Sequence, residues 1–194
     1  VYTPVEIVDF ILRSTDYLSK VNFDRNFSDK NVHILDPFTG TGTFISRLLQ
    51  SDLMSKKNLT YKYENEIHAN EVVLLAYYIA NINIESVFQD IAKSNSYKPY
   101  KGIVLTDTFQ LYEQDRDMVA DLLPDNSKRR TNQKKRKITV IVGNPPYSIG
   151  QTPENDNAAN IKYPNLDASI EKNYSKPFQK LIPEKIENCI LLRS

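Results

Sequence analysis

Residues 32–44 of the sequence read VHILDPFTGTGTF. The apolar run at the start of this stretch predicts a short buried strand that ends at Asp36. Gly40 and Gly42 follow within a single loop, where glycine lets the backbone turn tightly and approach a ligand closely. Because the whole chain has only 5 glycines, a pair in one loop indicates that this loop needs unusual backbone geometry. The stretch therefore predicts a strand, a ligand-binding loop and the start of a helix.

Helices and strands alternate on both sides of this stretch. At the amino end, Thr3, Pro4 and Glu6 match the start of a helix, with Thr3 as its cap and Glu6 completing a capping box. Apolar spacing predicts two more helices, one after the glycine loop and one, largely buried, over residues 72–80. Further strands are predicted at residues 66–70, 103–105 and 138–142. Strands separated by helices, in runs too apolar to face solvent on one side, indicate a mostly parallel α/β sheet with helices on both faces.

Polar residues stand at the ends of the predicted strands. They are Asp36, Glu71, Asp107 and Asn144, one for each strand. In open α/β sheets, ligands bind outside the carboxyl ends of the strands. We therefore expect these four side chains to meet in one binding site at that edge of the sheet.

The residues after the last predicted strand are Asn144, Pro145, Pro146 and Tyr147. The two prolines fix the backbone and remove two hydrogen-bond donors, which leaves carbonyl groups available as acceptors. An amide oxygen, a main-chain oxygen and an aromatic ring together suit an exocyclic amino group on a planar ring. The alternative is that these residues form only a turn that ends the strand.

Composition excludes several other classes of protein. The chain of 194 residues is 40% hydrophobic and 25% charged, as in folded globular proteins. One cysteine, Cys189, and two histidines, His33 and His68, are too few for a disulfide framework or for a Cys- or His-based metal cluster. We expect these three residues to be structural and the protein to hold no metal. The glycine loop also lacks the Gly-Lys-Ser/Thr ending of a triphosphate-binding loop.

Hydropathy indicates a protein that does not enter a membrane. No apolar run approaches the roughly 18 residues of a membrane span. The start of the chain also lacks the basic and then apolar layout of a signal peptide. These two features predict a cytoplasmic protein.

Positive charge is concentrated in one segment of an almost neutral chain. The formal net charge is +1, yet residues 128–137 read KRRTNQKKRK and hold seven cations. This run predicts a basic loop at about residues 124–137. The loop is either a solvated connection between elements or a patch that contacts nucleic-acid phosphates. We expect it to be mobile and to add only sequence-independent affinity for DNA.

The motifs DPFTGTGTF and NPPY together resemble those of the amino-group DNA methyltransferases, which use S-adenosyl-L-methionine and make N6-methyladenine. The Thr-Pro pair near the start resembles the extra cofactor motif that precedes the glycine loop in one ordering class of these enzymes. More narrowly, VYTPVEIVDFI, NEIHANEVVLLAYYIANINIE and GNPPYSIGQ resemble the methyltransferase part of single-chain restriction–modification proteins.

The resemblance covers roughly residues 1–167 and implies a Rossmann-like, S-adenosylmethionine-dependent methyltransferase fold. It implies that residues 1–167 are the N-terminal part of a catalytic domain whose sheet is incomplete on the C-terminal side. Residues 168–194 are expected to be a tail whose structure the sequence does not indicate, and from about residue 174 onward the tail departs from the family pattern. The helicase, nuclease and target-recognition regions of such proteins would lie outside this chain.

The resemblance also implies which residues hold the cofactor. The implied cofactor-binding residues are Thr3, Pro4, Asp36, Pro37, Phe38, Gly40, Gly42, Glu71, Asp107 and Phe109. Asp36 would hold the ammonium group of the methionine part, and Asp107 would accept a hydrogen bond from the adenine amino group. Glu71 would bind the ribose hydroxyls, with Glu66 as the alternative.

After the fourth strand, Asn144, Pro145, Pro146 and Tyr147 would receive an adenine flipped out of double-stranded DNA. The implied reaction is transfer of a methyl group to the N6 amino group of that adenine. Two alternatives stay open. One is methylation of a glutamine amide in a protein or of a base in RNA. The other is a fragment that binds cofactor or DNA without catalysis.

Overall fold

The computed structural model describes residues 3–93, 96–112, 123–146 and 163–175. Contacts divide the chain into two units, the first formed by Val1–Thr108 and Asp117–Pro145 and the second by Phe109–Arg116 and Pro146–Ser194. The first unit contains the sheet and the ends of its strands. The division of the chain at residues 167 and 168 stays a prediction.

Four parallel strands form one sheet in the first unit. They are β1 (His33–Asp36), β2 (Ile67–Glu71), β3 (Ile103–Leu105) and β4 (Ile138–Ile141). Their order is β3-β2-β1-β4, and every neighbouring pair is parallel. The parallel α/β sheet predicted from the sequence is confirmed. All five residues of β2 are buried, so this strand lies deeper than its weakly apolar sequence indicates.

Six α-helices accompany these strands in the described part of the chain. They are α1 (Val5–Phe23), α2 (Thr43–Gln50), α3 (Lys56–Asn65), α4 (Leu74–Ala92), α5 (Pro124–Lys134) and α6 (Pro164–Ile170). Helix α2 packs against both α1 and α4, and α4 packs against β2 and β3. The core between helices and sheet is built from fully buried aliphatic side chains such as Ile34, Ile45 and Ile84.

The start of α1 differs from the prediction. Pro4 occupies the N-cap position, and no side chain makes a capping hydrogen bond there. The carbonyl of Pro4 instead accepts from the amides of Ile7 and Val8, at 3.0 and 3.1 Å. The predicted capping box with Thr3 and Glu6 is therefore wrong. The Thr3 hydroxyl has a different partner, which lies at the carboxyl edge of the sheet.

The prediction that residues 72–80 are largely buried is also wrong. Val72, Val73, Leu74 and Leu75 are exposed, and of this run only Tyr77 and Ala80 are buried. The reason is geometric, because α4 buries residues only at every third or fourth position, and a continuous apolar run is wider than that face. Strand β4 shows the same effect: Thr139 and Ile141 are exposed while Val140 is buried. In the described structure, β4 is thus covered on one face only.

The basic segment is a helix rather than the predicted loop. Helix α5 covers most of it and packs against β3, so the predicted mobility is wrong for this part. Its buried positions are Asn126, Arg130 and Gln133, which follow helical spacing with polar residues. Arg130 Nε donates to Thr106 Oγ1 over 3.1 Å. A search for apolar periodicity has no means of detecting a helix whose buried face is polar.

Asn126 closes the free edge of β3. Its Oδ1 accepts from the amide of Leu105 at 2.8 Å, and its Nδ2 donates to the Leu105 carbonyl at 3.0 Å. The side-chain amide therefore satisfies both backbone groups that a further strand would otherwise satisfy at this residue.

His33 and His68 form a stacked pair between β1 and β2. His33 Nδ1 and His68 Nε2 are 2.9 Å apart, and the ring centroids are 5.2 Å apart. Burial, followed by the charges of His33 and Arg136, lowers the pKa of His68 to about 4. The pKa of His33 is lowered as well, mainly by burial. Both rings are therefore structural and neutral at physiological pH.

His68 should make stability depend on pH. Its folded pKa of about 4 lies below the unfolded value of about 6.5, so the folded state binds fewer protons between these values. The stabilising contribution of His68 is present above about pH 6.5 and is lost as the pH falls through this window. At about pH 5 the loss should be about 2 kcal/mol.

Urea unfolding at about pH 7.5 and about pH 5 measures this contribution. The His68→Phe variant keeps a ring at this position and removes the titration, so it is the matched control. The difference in unfolding free energy between wild type and variant should shift by about 2 kcal/mol between the two conditions. An unchanged difference would contradict the assignment of a neutral, buried His68.

Candidate active site

Both glycines of the loop after β1 adopt left-handed backbone conformations, with φ of +57° for Gly40 and +89° for Gly42. The unusual geometry predicted for this loop is confirmed. A Cβ on Gly42 would lie 3.1 Å from the Ile84 side chain and 3.3 Å from the Ala80 carbonyl. A Cβ on Gly40 would meet nothing within 4 Å. Gly42 is therefore packed tightly on α4, whereas Gly40 faces open space that a ligand can occupy.

Glu71, at the end of β2, holds this loop in place. Its Oε2 accepts from the amide of Gly40 at 2.7 Å, and its Oε1 accepts from the amides of Val72 and Val73 at 2.9 and 2.8 Å. A carboxylate has about four acceptor positions. Glu71 thus anchors the glycine loop and retains an acceptor position for a ligand hydroxyl.

Glu66 has a structural role at the opposite end of β2. It directly precedes β2, and its Oε2 accepts from Lys62 Nζ at 2.8 Å, with both side chains fully buried. Lys62 Nζ also donates to the carbonyl of Val32 at 2.6 Å. Removal of one partner from a buried pair of this kind strongly destabilises the folded protein, because the other charge is left buried and unpaired. Of the two acids considered at the sequence level, Glu71 is the one at the carboxyl edge.

Asp36, at the end of β1, is a buried carboxylate with an unsatisfied oxygen. It is fully buried, and its Oδ1 accepts from the amide of Phe38 at 3.1 Å. Its Oδ2 has no hydrogen-bond partner in the described structure. Burial, reinforced by the nearby charge of Glu71, raises the pKa of Asp36 to about 7. A ligand that brings a positive charge and N–H donors, such as an ammonium group, fits this carboxylate.

Gly143 and Asn144 follow β4; the first comes close to Asp36 and the second to the start of α1. Its Nδ2 donates to Thr3 Oγ1 over 3.1 Å. At the preceding residue, a Cβ on Gly143 would lie 2.7 Å from Asp36 Oδ1, so only glycine fits there without displacing the carboxylate. Asn144 is half-buried and Pro145 is exposed. The glycine therefore brings the ends of β1 and β4 into contact.

A hydrogen-bond chain that no sequence pattern predicts joins the ends of the other strands. Thr108 Oγ1 donates to the carbonyl of Pro37 at 2.6 Å and accepts from Asn70 Nδ2 at 3.2 Å. Asn70 is fully buried, and its Oδ1 has no partner in the described residues. The only signal in the sequence is the position of these polar residues at strand ends. These hydrogen bonds fix the segment that carries Asp107 against the loop after β1.

The structure brings together five of the predicted site residues in the first unit. They are Thr3, Asp36, Gly40, Glu71 and Asn144: Glu71 holds Gly40, Asn144 holds Thr3, and Asp36 packs against Gly143, the residue before Asn144. The other predicted residues stand as follows: Pro4, Pro37, Phe38, Gly42, Asp107 and Pro145 also belong to the first unit, Phe109 and Pro146 belong to the second unit, and Tyr147 lies outside the described residues.

In the second unit, Phe109 begins a short 3₁₀ helix, Phe109–Tyr112, and its ring centroid lies 5.5 Å from that of Tyr163. Helix α6 continues into a π-helical turn, Glu171–Ser175. Cys189 falls outside the part of the chain that the structure describes. The described residues contain no group of three or more His, Cys, Asp or Glu side chains arranged to hold a metal ion. Nor does any helix within them have the length and hydropathy to cross a membrane.

A parallel sheet of this order, with a glycine loop after its first strand and Asn-Pro-Pro after its fourth, has the architecture of an α/β methyltransferase. The model of the N-6 DNA methylase family matches residues 1–187. The chain belongs to this family.

Solved structures of restriction–modification enzymes are similar to this chain. A nuclease-deletion mutant of the Type ISP restriction-modification enzyme LlaGI, in complex with a DNA substrate mimic, is 48% identical with a TM-score of 0.83, over 91% of this chain and 15% of that one. The ATP-dependent Type ISP enzyme LlaBIII bound to DNA is 47% identical with a TM-score of 0.81, over 89% and 12%. The DrdV–DNA complex is 41% identical with a TM-score of 0.79, over 89% and 16%.

The chain therefore spans only 12% to 16% of the length of these three proteins. No protein with a curated description matches the sequence.

Proposed function

We propose that the protein transfers a methyl group from S-adenosylmethionine to the exocyclic N6 amino group of adenine in DNA, as part of a restriction–modification system. Its membership of the N-6 DNA methylase family and its similarity to DNA-bound restriction–modification enzymes support this proposal. The observation that carries it is that Gly143, which directly precedes Asn144, packs against Asp36. The buried carboxylate of Asp36 suits a cationic cofactor, and Asn144 suits a donor amino group beside it.

S-adenosylmethionine, when bound, supplies a methyl group on a positively charged sulfur. Asp36 would hold its ammonium group, because Oδ2 is buried without a partner. The open space over Gly40 would admit the cofactor, and Glu71 would accept from the ribose hydroxyls. The other proposed contacts are Thr3 and Pro4 to the methionine carboxylate, Gly42, Pro37 and Phe38 along the loop, and Asp107 and Phe109 at the adenine.

Asn144 would act on the nitrogen that receives the methyl group. An amino group on an aromatic ring is a poor nucleophile, since its lone pair is delocalised into the ring. Hydrogen bonds from its two N–H groups to Asn144 Oδ1 and the Pro145 carbonyl would favour a tetrahedral nitrogen with a localised lone pair. This chain thus contributes alignment and preorganised dipoles rather than a covalent intermediate. Pro146 and Tyr147 would contact the ring of the flipped adenine.

Further parts of such an enzyme would lie outside this chain. The proteins it is similar to are about six to seven times longer, because 89% to 91% of this chain matches only 12% to 16% of theirs. A target-recognition region would choose the DNA sequence, and helicase and nuclease regions would act on DNA that lacks the methyl mark. We infer that such an enzyme would meet its DNA substrate in the cytoplasm.

Transfer of a labelled methyl group tests the proposal. The full-length protein is incubated with labelled cofactor and, in parallel, with duplex DNA, RNA or protein. We expect the label in DNA, and digestion to nucleosides should place it in N6-methyladenine. A duplex whose adenines are already methylated at N6 is the matched control and should accept none. Label in RNA, in a protein amide or in cytosine would contradict the proposed substrate.

Helix α5 should add a salt-dependent term to DNA affinity. Lys128 and Lys135 lie two helical turns apart on the side opposite the buried Asn126, and both are exposed, as is Lys137. Replacing these three lysines by glutamine should weaken binding to any duplex equally. The slope of log affinity against log salt should fall by about one for each phosphate that the variant no longer neutralises.

The matched control for charge replaces Lys56, Lys57 and Lys101, which are exposed elsewhere on the first unit. Both triple variants are titrated with two unrelated duplexes at several salt concentrations. The comparison distinguishes an effect of α5 on DNA affinity from an effect of the overall charge. An α5 variant with the same salt slope as the control would show that this helix does not contact phosphates.

A further inference from the structure

Thr3 and Asn144 are in direct contact although 141 residues separate them in sequence. Asn144 Nδ2 donates to Thr3 Oγ1 over 3.1 Å, and both side chains are half-buried. Thr3 stands just before α1, and Asn144 stands just after β4. The contact therefore joins the start of the chain to the end of the fourth strand.

An asparagine amide has two chemically different ends. Its oxygen only accepts hydrogen bonds, and its nitrogen only donates them. An exocyclic amino group brings N–H donors, so it must meet the oxygen end. Rotation of the amide by half a turn would instead place N–H groups against N–H groups. Asn144 can therefore assist the reaction only when its amide nitrogen is held away from the substrate and its amide oxygen faces it.

We propose that Thr3 is a positioning residue for Asn144, one that holds the amide nitrogen so that the amide oxygen faces the target amino group. This inference rests on the proposed function, because it assumes that an amino group is the acceptor of the methyl group. Thr3 affects the reaction through Asn144. Its hydroxyl accepts a hydrogen bond from Asn144 and does not cap α1 as the sequence predicts.

The same hydroxyl is able to serve the cofactor at the same time. A threonine hydroxyl has one donor and two acceptor positions. While Oγ1 accepts from Asn144, its proton stays available for an acceptor such as the methionine carboxylate. A cofactor bound there would orient the hydroxyl and thereby strengthen its hold on Asn144.

A double-mutant cycle tests the proposal in the full-length protein. The four proteins are wild type, Thr3→Val, Asn144→Ala and the double variant. Single-turnover methyl transfer is measured at saturating cofactor, and cofactor affinity is measured separately by calorimetry. Thr3→Val should slow transfer about tenfold, the effect of one neutral hydrogen bond, and Thr3→Ser should restore most of the lost rate. In the Asn144→Ala background, Thr3→Val should have no further effect on the rate.

The outcomes separate this inference from the proposed function. A rate loss for Thr3→Val that persists in the Asn144→Ala background, or that vanishes at saturating cofactor, would overturn the positioning role and leave the function intact. If the wild type methylates a different amino group, the proposed substrate is wrong, and the same cycle on that group decides the role of Thr3. Urea unfolding of the four proteins supplies a readout without activity, where strictly additive effects would refute the hydrogen bond itself.

Discussion

Replacement of Asn144 by alanine should slow methyl transfer by roughly 100- to 1000-fold, as the loss of one preorganised partner in a transition state does in other enzymes. Cofactor affinity should change little. The reason is a division of roles along the sheet edge, where Asp36 and Glu71 lie at the cofactor loop and Asn144 follows β4. The residue that packs against Asp36 at the end of β4 is Gly143, which precedes Asn144.

Matched measurements on the full-length protein separate the two effects. Calorimetry gives cofactor affinity, and single-turnover rates on a duplex with one target adenine give the chemical step. Asn65→Ala is the control, because Asn65 only donates to the carbonyl of Tyr61 on the surface of α3. If Asn144→Ala lost cofactor binding but kept its rate at saturating cofactor, the roles assigned to the two subsites would be exchanged.

Cofactor affinity should rise with pH through about 7, with Asp36 as the cause. In the free protein, burial raises the pKa of this carboxyl to about 7, so below that pH the group is mostly protonated. An ammonium group beside Asp36 favours the ionised form, and binding must then release a proton. Affinity should therefore fall about tenfold for each pH unit below 7. The contribution of Asp36 to the stability of the unliganded protein should change in the opposite sense, decreasing as the pH rises from about 4 to about 7.

Asp36→Asn keeps the shape of the side chain and removes the charge. At about pH 8 it should weaken cofactor binding by about 10- to 100-fold, the effect of losing a hydrogen bond to a charged group. It should also abolish the pH dependence. Calorimetry in buffers of different ionisation heats counts the protons released by wild type and variant. Equal proton release in the two proteins, or equal affinity, would show that the cofactor does not meet Asp36.

Strand positions were predictable because the strands of a parallel sheet are marked by local sequence. The run at β4 is apolar and β-branched, and a polar residue ends each strand. The glycine loop was predictable for a similar reason, since few other residues tolerate the backbone angles of Gly40 and Gly42. These features depend on neighbours in sequence rather than on distant partners.

The parts that escaped prediction all depend on distant partners. The buried face of α5 is polar because it forms hydrogen bonds to Leu105 and Thr106 at the edge of the sheet. These partners are distant in sequence, so the helix alone does not reveal which of its faces is buried. The contact between Thr3 and Asn144 spans almost the whole described first unit. Likewise, the sequence left Glu66 as an alternative to Glu71, because only the contacts of Glu71 with Gly40 and of Glu66 with Lys62 separate their roles.

The side-chain amide of Asn126 makes the two edges of the sheet differ in how readily they accept another strand. Because that side chain occupies the backbone groups of Leu105, the β3 edge offers little to an approaching strand. On the other side, β4 ends the sheet in the described part of the chain, and its last residue, Ile141, is exposed. Any added strand, whether a continuation of the same polypeptide or a segment exchanged with a second copy, should dock at β4. Self-association of an isolated fragment should accordingly begin at this single edge, where a charged substitution would oppose it.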